Sequence, residues 1–177
     1  MLLPFLDKSP ALGKGAFVAP DAALIGDVTL GEDASVFFQC VLRADINAIR
    51  IGARSNIQDH TTVHLASDVP TIVGEDVSVG HRCILHACTV GDRVLVGMGS
   101  ILMDNVVIGE DSIIGAGSLI PKGKSFPPGS LIVGAPARLV RALSEEEKAG
   151  IAALAHKYIG VKDTYLDGAK HNAKDPA

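Results

Sequence analysis

The strongest constraint on this chain is a count of six. From Val18 the sequence divides into VAPDAA, LIGDVT, LGEDAS and VFFQCV, and from Ile51 into IGARSN and IQDHTT. VGEDVS and VGHRCI follow from Val73, and after them, from Val90, come VGDRVL, VGMGSI, LMDNVV, IGEDSI and IGAGSL. An aliphatic residue opens each unit, Gly often follows it, and a small or β-branched residue tends to stand fifth. Strands alternating in a sandwich have a side-chain period of two and would not hold a register of six for so long. A coil of short strands would. First and fifth residues point inward, and Gly, Asp and Asn make the bends because they accept positive φ. Three units close a triangular turn of about 18 residues, and turns stack about 4.8 Å apart. Aliphatic columns then fill the core, in keeping with 47% apolar residues, 4% aromatics and no Trp.

The sequence thus predicts an all-β body, a parallel β-helix over residues 18–140, behind an N-terminal extension over 1–17. The C-terminal part changes period. Ser144 with Glu147 reads as a capping box, and Glu145 and Glu146 favour the same helix start. Ile151, Leu154, Tyr158, Val161 and Tyr165 then recur at three- and four-residue steps, which predicts an amphipathic helix over 144–167. Gly150 and Gly160 each weaken it by about 1 kcal/mol relative to Ala, so the helix is expected to pack along the prism. Residues 168–177 read as a flexible tail.

A net charge of -4 gives no basic footprint for nucleic acid. The start, MLLPFLDKSP, lacks a basic segment and is broken by Pro4, so it is a poor signal peptide. No apolar run reaches the roughly 18 residues of a membrane span. Cys40, Cys83 and Cys88 are an odd number in no disulfide framework, which reads as a reduced, cytoplasmic chain.

Six histidines interrupt the pattern. His156 on the helix and His171 in the tail read as solvated, and His60 follows no phase. His64 and His86 each stand second in a unit, after Val63 and Leu85, while His81 stands third after Val79. Ten residues separate Val63 from Val73, neither six nor twelve. If the surplus is a four-residue bulge, Leu85 returns to the face of Val63. His64 and His86 then stand one turn apart, about 4.8 Å along the axis. His81 projects from another face and reaches their site only from a neighbouring molecule in a three-fold ring. If instead two full units have lost two residues, His64 and His86 do not align. Both countings remain open at this level. A local alternative is a closed zinc site of His81, Cys83, His86 and Cys88, although Cys83 falls at an inward position.

The run VLRADINAIRIGARSNIQDHTTVH, with VGHRCILHACTVGDRVLVGMGSIL downstream, resembles the γ-class carbonic anhydrases over roughly Leu12 to Leu166. The resemblance implies a left-handed β-helix, although the general rule for parallel crossovers would have suggested a right-handed one. It implies a homotrimer with metal sites at the subunit interfaces, where zinc hydroxide hydrates CO2 reversibly to bicarbonate. His64, His81 and His86 fall on the metal ligands, His81 being donated by the adjacent subunit. Arg43 and Asp45 fall on a charged pair spanning the interface. Gln58 falls on the residue that orients the nucleophile or bicarbonate, Asp59 on a network residue beside it, and Tyr158 on a tyrosine near the site. Zinc is the expected ion, with Fe(II) or Co(II) also accepted by three imidazoles.

The likeness has departures. The family's usual Arg-Gly-Asp is Arg43-Ala44-Asp45, and the glutamates that carry protons in its most active members are replaced by Ile46 and the stretch from Leu65 to Asp68. Slow proton release is the expected consequence. Two alternatives have other chemistry: an acyltransferase of the same fold using one histidine as general base, or a trimeric scaffold that keeps the metal for assembly.

Overall fold

The computed structural model describes residues 1–172 and side chains through Gly168. It folds as a left-handed parallel β-helix of about seven turns followed by one helix. Its three faces are columns of paired hexad openers. Leu24, Leu42, Val63, Leu85, Leu102 and Ile120 stack on the first face, and Leu30, Ile51, Val73, Val90 and Ile108 on the second. Val18, Val36, Ile57, Val79, Val96, Ile114 and Ile132 stack on the third. From Leu24 onward every opener is at most 3% exposed. Fifth residues such as Ala34, Cys40, Thr61, Val77, Cys83 and Val106 are buried with them, so the sequence pattern is the packing pattern.

The surplus residues are bulges at one corner. Val63 pairs with Leu85 and His64 with His86, while Val73 pairs with Ile51 and Val90. Val63 and Val73 therefore open successive faces, and the counting by deletion is excluded. At the same corner the step from Leu42 to Ile51 is nine residues and that from Leu85 to Val90 only five. The neighbouring turns are so close that Gly is obligatory at some bends. A Cβ on Gly97 would lie 2.5 Å from the Ala116 nitrogen.

Coiling starts before residue 18. Leu2–Leu3 and Ala11–Leu12 pair in parallel with Ala23–Leu30, and Phe17–Val18 with Ser35–Val36. The expected extension over 1–17 is thus the first turn, held by backbone pairing that leaves no hexad signature. At the other end, Ser130–Gly134 and Ala137–Ala142 form an antiparallel hairpin that ends the coil.

The C-terminal helix runs Glu145–Asn172, five residues past the expected end at 167. The tail expected from 168 is therefore helical through Asn172, and residues 173–177 lie outside the described residues. The capping box forms: the Glu147 N–H donates to Ser144 Oγ at 3.2 Å and the Ser144 N–H to Glu147 Oε2 at 2.9 Å. The helix lies on the third face, burying Ile151, Ala155 and Lys162. Lys162 is 1% exposed, with Nζ donating to Asp33 at 2.9 Å and Asp163 at 2.5 Å. Tyr158 meets the edge of Phe37, and Tyr165 stacks on Phe17 at 5.6 Å. His156 is exposed, 3.7 Å from Asp76, and the His171 side chain lies outside those described. No described helix is long and apolar enough to cross a membrane.

Candidate metal centre

The residues singled out in the sequence fall into two groups at opposite edges of the first face. At the edge leading to the second face stand His64, His86, Arg43 and Asp45. At the edge arriving from the third face stand His81, Asp59, Gln58 and Tyr158.

In the first group, register places the two imidazoles on adjacent turns, with ring centroids 5.2 Å apart and His64 Nδ1 3.2 Å from His86 Nε2. The outer nitrogens rest on carboxylates. His64 Nε2 lies 3.1 Å from Asp45 Oδ1, and His86 Nδ1 lies 2.6 Å from Asp104 Oδ1. Burial works against the charge on Asp45, but hydrogen bonds from His64 and Arg43 outweigh it and hold the carboxyl below its usual range. Arg43 reaches Asp45 within the same chain. The bulge after His64 is tied down as well: Asn47 donates to the Ala66 and Ser67 carbonyls, and Thr71 Oγ1 donates to the His64 carbonyl.

The second group follows the same scheme. His81 Nδ1 lies 2.8 Å from Asp59 Oδ2, and its ring is 43% exposed. Gln58 is buried, its Nε2 donating to Asn56 Oδ1 at 3.1 Å while Asn56 donates to Ser78 Oγ. Gln58, His81 and Tyr158 line a groove of about 450 Å³ whose remaining wall is largely apolar, with Leu95, Ile113 and Leu154. Burial and the neighbouring Asp59 charge both push the Tyr158 phenol up.

A carboxylate only accepts hydrogen bonds, so each histidine must carry its proton on the nitrogen facing its Asp. His64 Nδ1 and His86 Nε2 then present lone pairs to each other across 3.2 Å, which is unfavourable without a cation between them. Two imidazole nitrogens sharing one tetrahedral ion at about 2.0–2.1 Å stand about 3.3 Å apart. The donor pair therefore fits a divalent transition metal. Among the described residues no group of three or more His, Cys, Asp or Glu is placed to hold a metal. The local His/Cys set is excluded for the same reason that its thiols pack. Cys83 and Cys88 face the core, Cys88 being pushed up to about 12 by burial, while His81 and His86 face outward.

Asp104 was not anticipated. Its signal was present in the register, since Leu102 lies one turn above Leu85 and so brings Asp104 to the His86 corner.

Parallel coils of hexads with chemistry carried at the corners define a hexapeptide-repeat protein, and residues 87–122 match the family model described as bacterial transferase hexapeptide (six repeats). The solved hexapeptide transferase family protein from Anaplasma phagocytophilum superposes with a TM-score of 0.90 at 43% identity, over 93% of this chain and 98% of that one. The carbonic anhydrase of Geobacillus kaustophilus is 41% identical over 159 residues, 90% of this chain and 87% of that protein. The mitochondrial γ carbonic anhydrase 2 of Arabidopsis thaliana is 41% identical over 98% of this chain, which spans only 63% of that relative's length. The chain belongs to the γ-class carbonic anhydrase family.

Proposed function

We propose that this protein is a metal-dependent carbonic anhydrase whose active site is assembled between chains of a homotrimer. The observation that carries the reading is the pairing of half-sites: His64 and His86 converge at one edge of a face, and His81 stands alone at the other. The face between them exposes Val41, Thr62, Ile84 and Ile101 in a column, with Met98 and Met103 beside it. Such an apolar surface calls for a partner. A three-fold ring that turns this face inward brings the His81 edge of each chain against the His64 and His86 edge of the next.

His64 and His86 of one chain and His81 of the next would then hold the ion, each ring oriented by its own Asp. Three neutral imidazoles would leave a zinc ion dicationic, and such an ion would supply a water of lowered pKa as nucleophile for CO2. Gln58, anchored on Asn56, orients the reacting oxygens, and the apolar wall of Leu95, Ile113 and Leu154 admits CO2 while excluding bulk water. Arg43 neutralises Asp45 at the seam. Ile46 is exposed and carries no proton, so turnover should depend on buffer concentration. We place the protein in the cytoplasm; three buried free thiols support a reducing compartment.

Metal counting joined to a CO2 hydration assay, before and after chelation and with His81→Ala alongside, tests the reading. Bound metal, hydration lost on chelation, and loss of both in His81→Ala are expected. Metal-free protein from anaerobic purification, with His81→Ala unchanged in assembly and activity, would sink the interface site. Bound metal without hydration would leave a scaffold. One essential histidine without metal would point to acyl transfer.

A further inference from the structure

We propose that Asp104 is a positioning residue for the metal centre: it fixes the tautomer and tilt of His86 so that Nε2 faces the shared ion. The inference rests on the three-histidine reading above and adds a residue to it. Asp104 stands on the turn above His86, at the corner where Leu102 pairs with Leu85, and its Oδ1 lies 2.6 Å from His86 Nδ1. This is the shortest of the three carboxylate–imidazole contacts, against 2.8 Å for Asp59 with His81 and 3.1 Å for Asp45 with His64.

Geometry gives Asp104 a different task from the other two. Asp45 also binds Arg43, so its hold on His64 is shared. Asp104 has His86 as its hydrogen-bonded side-chain partner, and His86 itself sits in the bend shortened to five residues, where a misplaced ring has no slack to recover. Because a carboxylate cannot donate, it admits one tautomer of His86, with hydrogen on Nδ1 and the lone pair on Nε2. It also raises the donor strength of that lone pair. Losing such an outer partner of a metal-bound histidine costs about 10–100-fold in metal affinity. An Asn at this position would be worse than its shape suggests, since its amide NH2 can donate to Nδ1 and lock the wrong tautomer.

The test is metal binding by the full chain, stripped by chelator and titrated with Zn(II) in competition and with Co(II) followed by its visible spectrum. His86→Ala should abolish binding at the site. Asp104→Ala and Asp104→Asn should weaken Zn(II) binding about 10–100-fold and alter the Co(II) spectrum, with Asp104→Glu recovering part of the loss. Melting of the metal-free variants should match the parent, because a partly exposed corner residue carries little of the fold. Wild-type affinity and spectrum in Asp104→Ala, with His86→Ala still inactive in binding, would overturn the proposal and leave the three-histidine reading standing. Equal binding by the parent and His86→Ala would instead overturn that reading. A loss of affinity matched in all three Asp104 variants by a fall in metal-free melting temperature would make Asp104 a fold residue and equally refute its positioning role.

Discussion

Two half-sites on opposite edges of one face make a prediction that no single-chain site can imitate. In the proposed trimer, His81→Ala destroys the half-site that a chain offers to one neighbour, and His86→Ala the half-site it offers to the other. Each variant alone therefore has three broken sites in every trimer. In a mixed trimer, one junction brings the intact His81 of a His86→Ala chain to the intact His64 and His86 of a His81→Ala chain. Every mixed trimer has one such junction. Random association of equal amounts makes about three quarters of trimers mixed, so about a quarter of all sites should be restored. The two variants, differently tagged, would be refolded together and the mixed species confirmed by native mass spectrometry. Metal per chain and CO2 hydration should each rise from near zero to about a quarter of the parent value. The companion mixture of His64→Ala with His86→Ala should restore nothing, because those residues face each other within one chain at 3.2 Å. Confirmed mixed trimers without recovery, or equal recovery in both mixtures, would refute the assignment of His81 to a different site from its sequence neighbour His86.

Two further expectations concern the fold. Hydrogen bonds from Arg141 and from the Ser144 backbone hold the Glu147 carboxyl down to about 2, below the unfolded value near 4.3. A depressed folded pKa contributes stability above the unfolded value and loses it as pH falls towards the folded one. Helix content read by circular dichroism should therefore fall between about pH 4.3 and 2, and Glu147→Gln should blunt that transition; an identical acid profile in the variant would contradict the capping role. Gly97→Ala drives a methyl to 2.5 Å from the Ala116 nitrogen and should cost about 1–3 kcal/mol, seen as a lower Tm. Gly99→Asn, at φ 72° in open space, should stay within about 0.5 kcal/mol, because Asn tolerates that conformation; the reverse order would contradict the steric account.

The core was legible because a hexad opener is read from chemistry alone: Leu24, Val63 and Ile114 are aliphatic and fully buried. Contacts made by backbone or by long side chains were less so. Leu2 and Ala11 belong to the first turn through hydrogen bonds that any residue makes, so residues 1–17 look like an appendage in the sequence. Lys162 carries no signal in the sequence that it is buried, yet it packs under the helix because Asp33 waits at the corner of the prism. Phase could place His64 and His86 on one face only under one of two countings, and the pairing of Leu85 with Val63 decided between them. Asp104 was hidden for a related reason. It lies 18 residues beyond His86, a distance that means adjacency only once turns are known to stack.

The irregularities in the count share one physical cause. A buried opener cannot move without breaking three columns at once, so extra or missing residues must be absorbed outside the prism. Separations of nine, ten and five residues all fall at the corner between the first and second faces, in successive turns. That corner carries Arg43, Asp45, His64 and His86, and Asp104 closes it from the next turn. The nine-residue bend places Asp45 and Asn47 at the bulge of the strand Val41–Ile51, where they hold His64 and the loop behind it. The short bend does the opposite for His86, keeping its ring close over the stack and within reach of both His64 and Asp104. The five-residue step from His81 to His86 thus spans the first face from one half-site to the other, and in this turn the six-residue register breaks after His86. The slip in the count falls where, in the proposed trimer, a side chain leaves the repeat to meet another chain's.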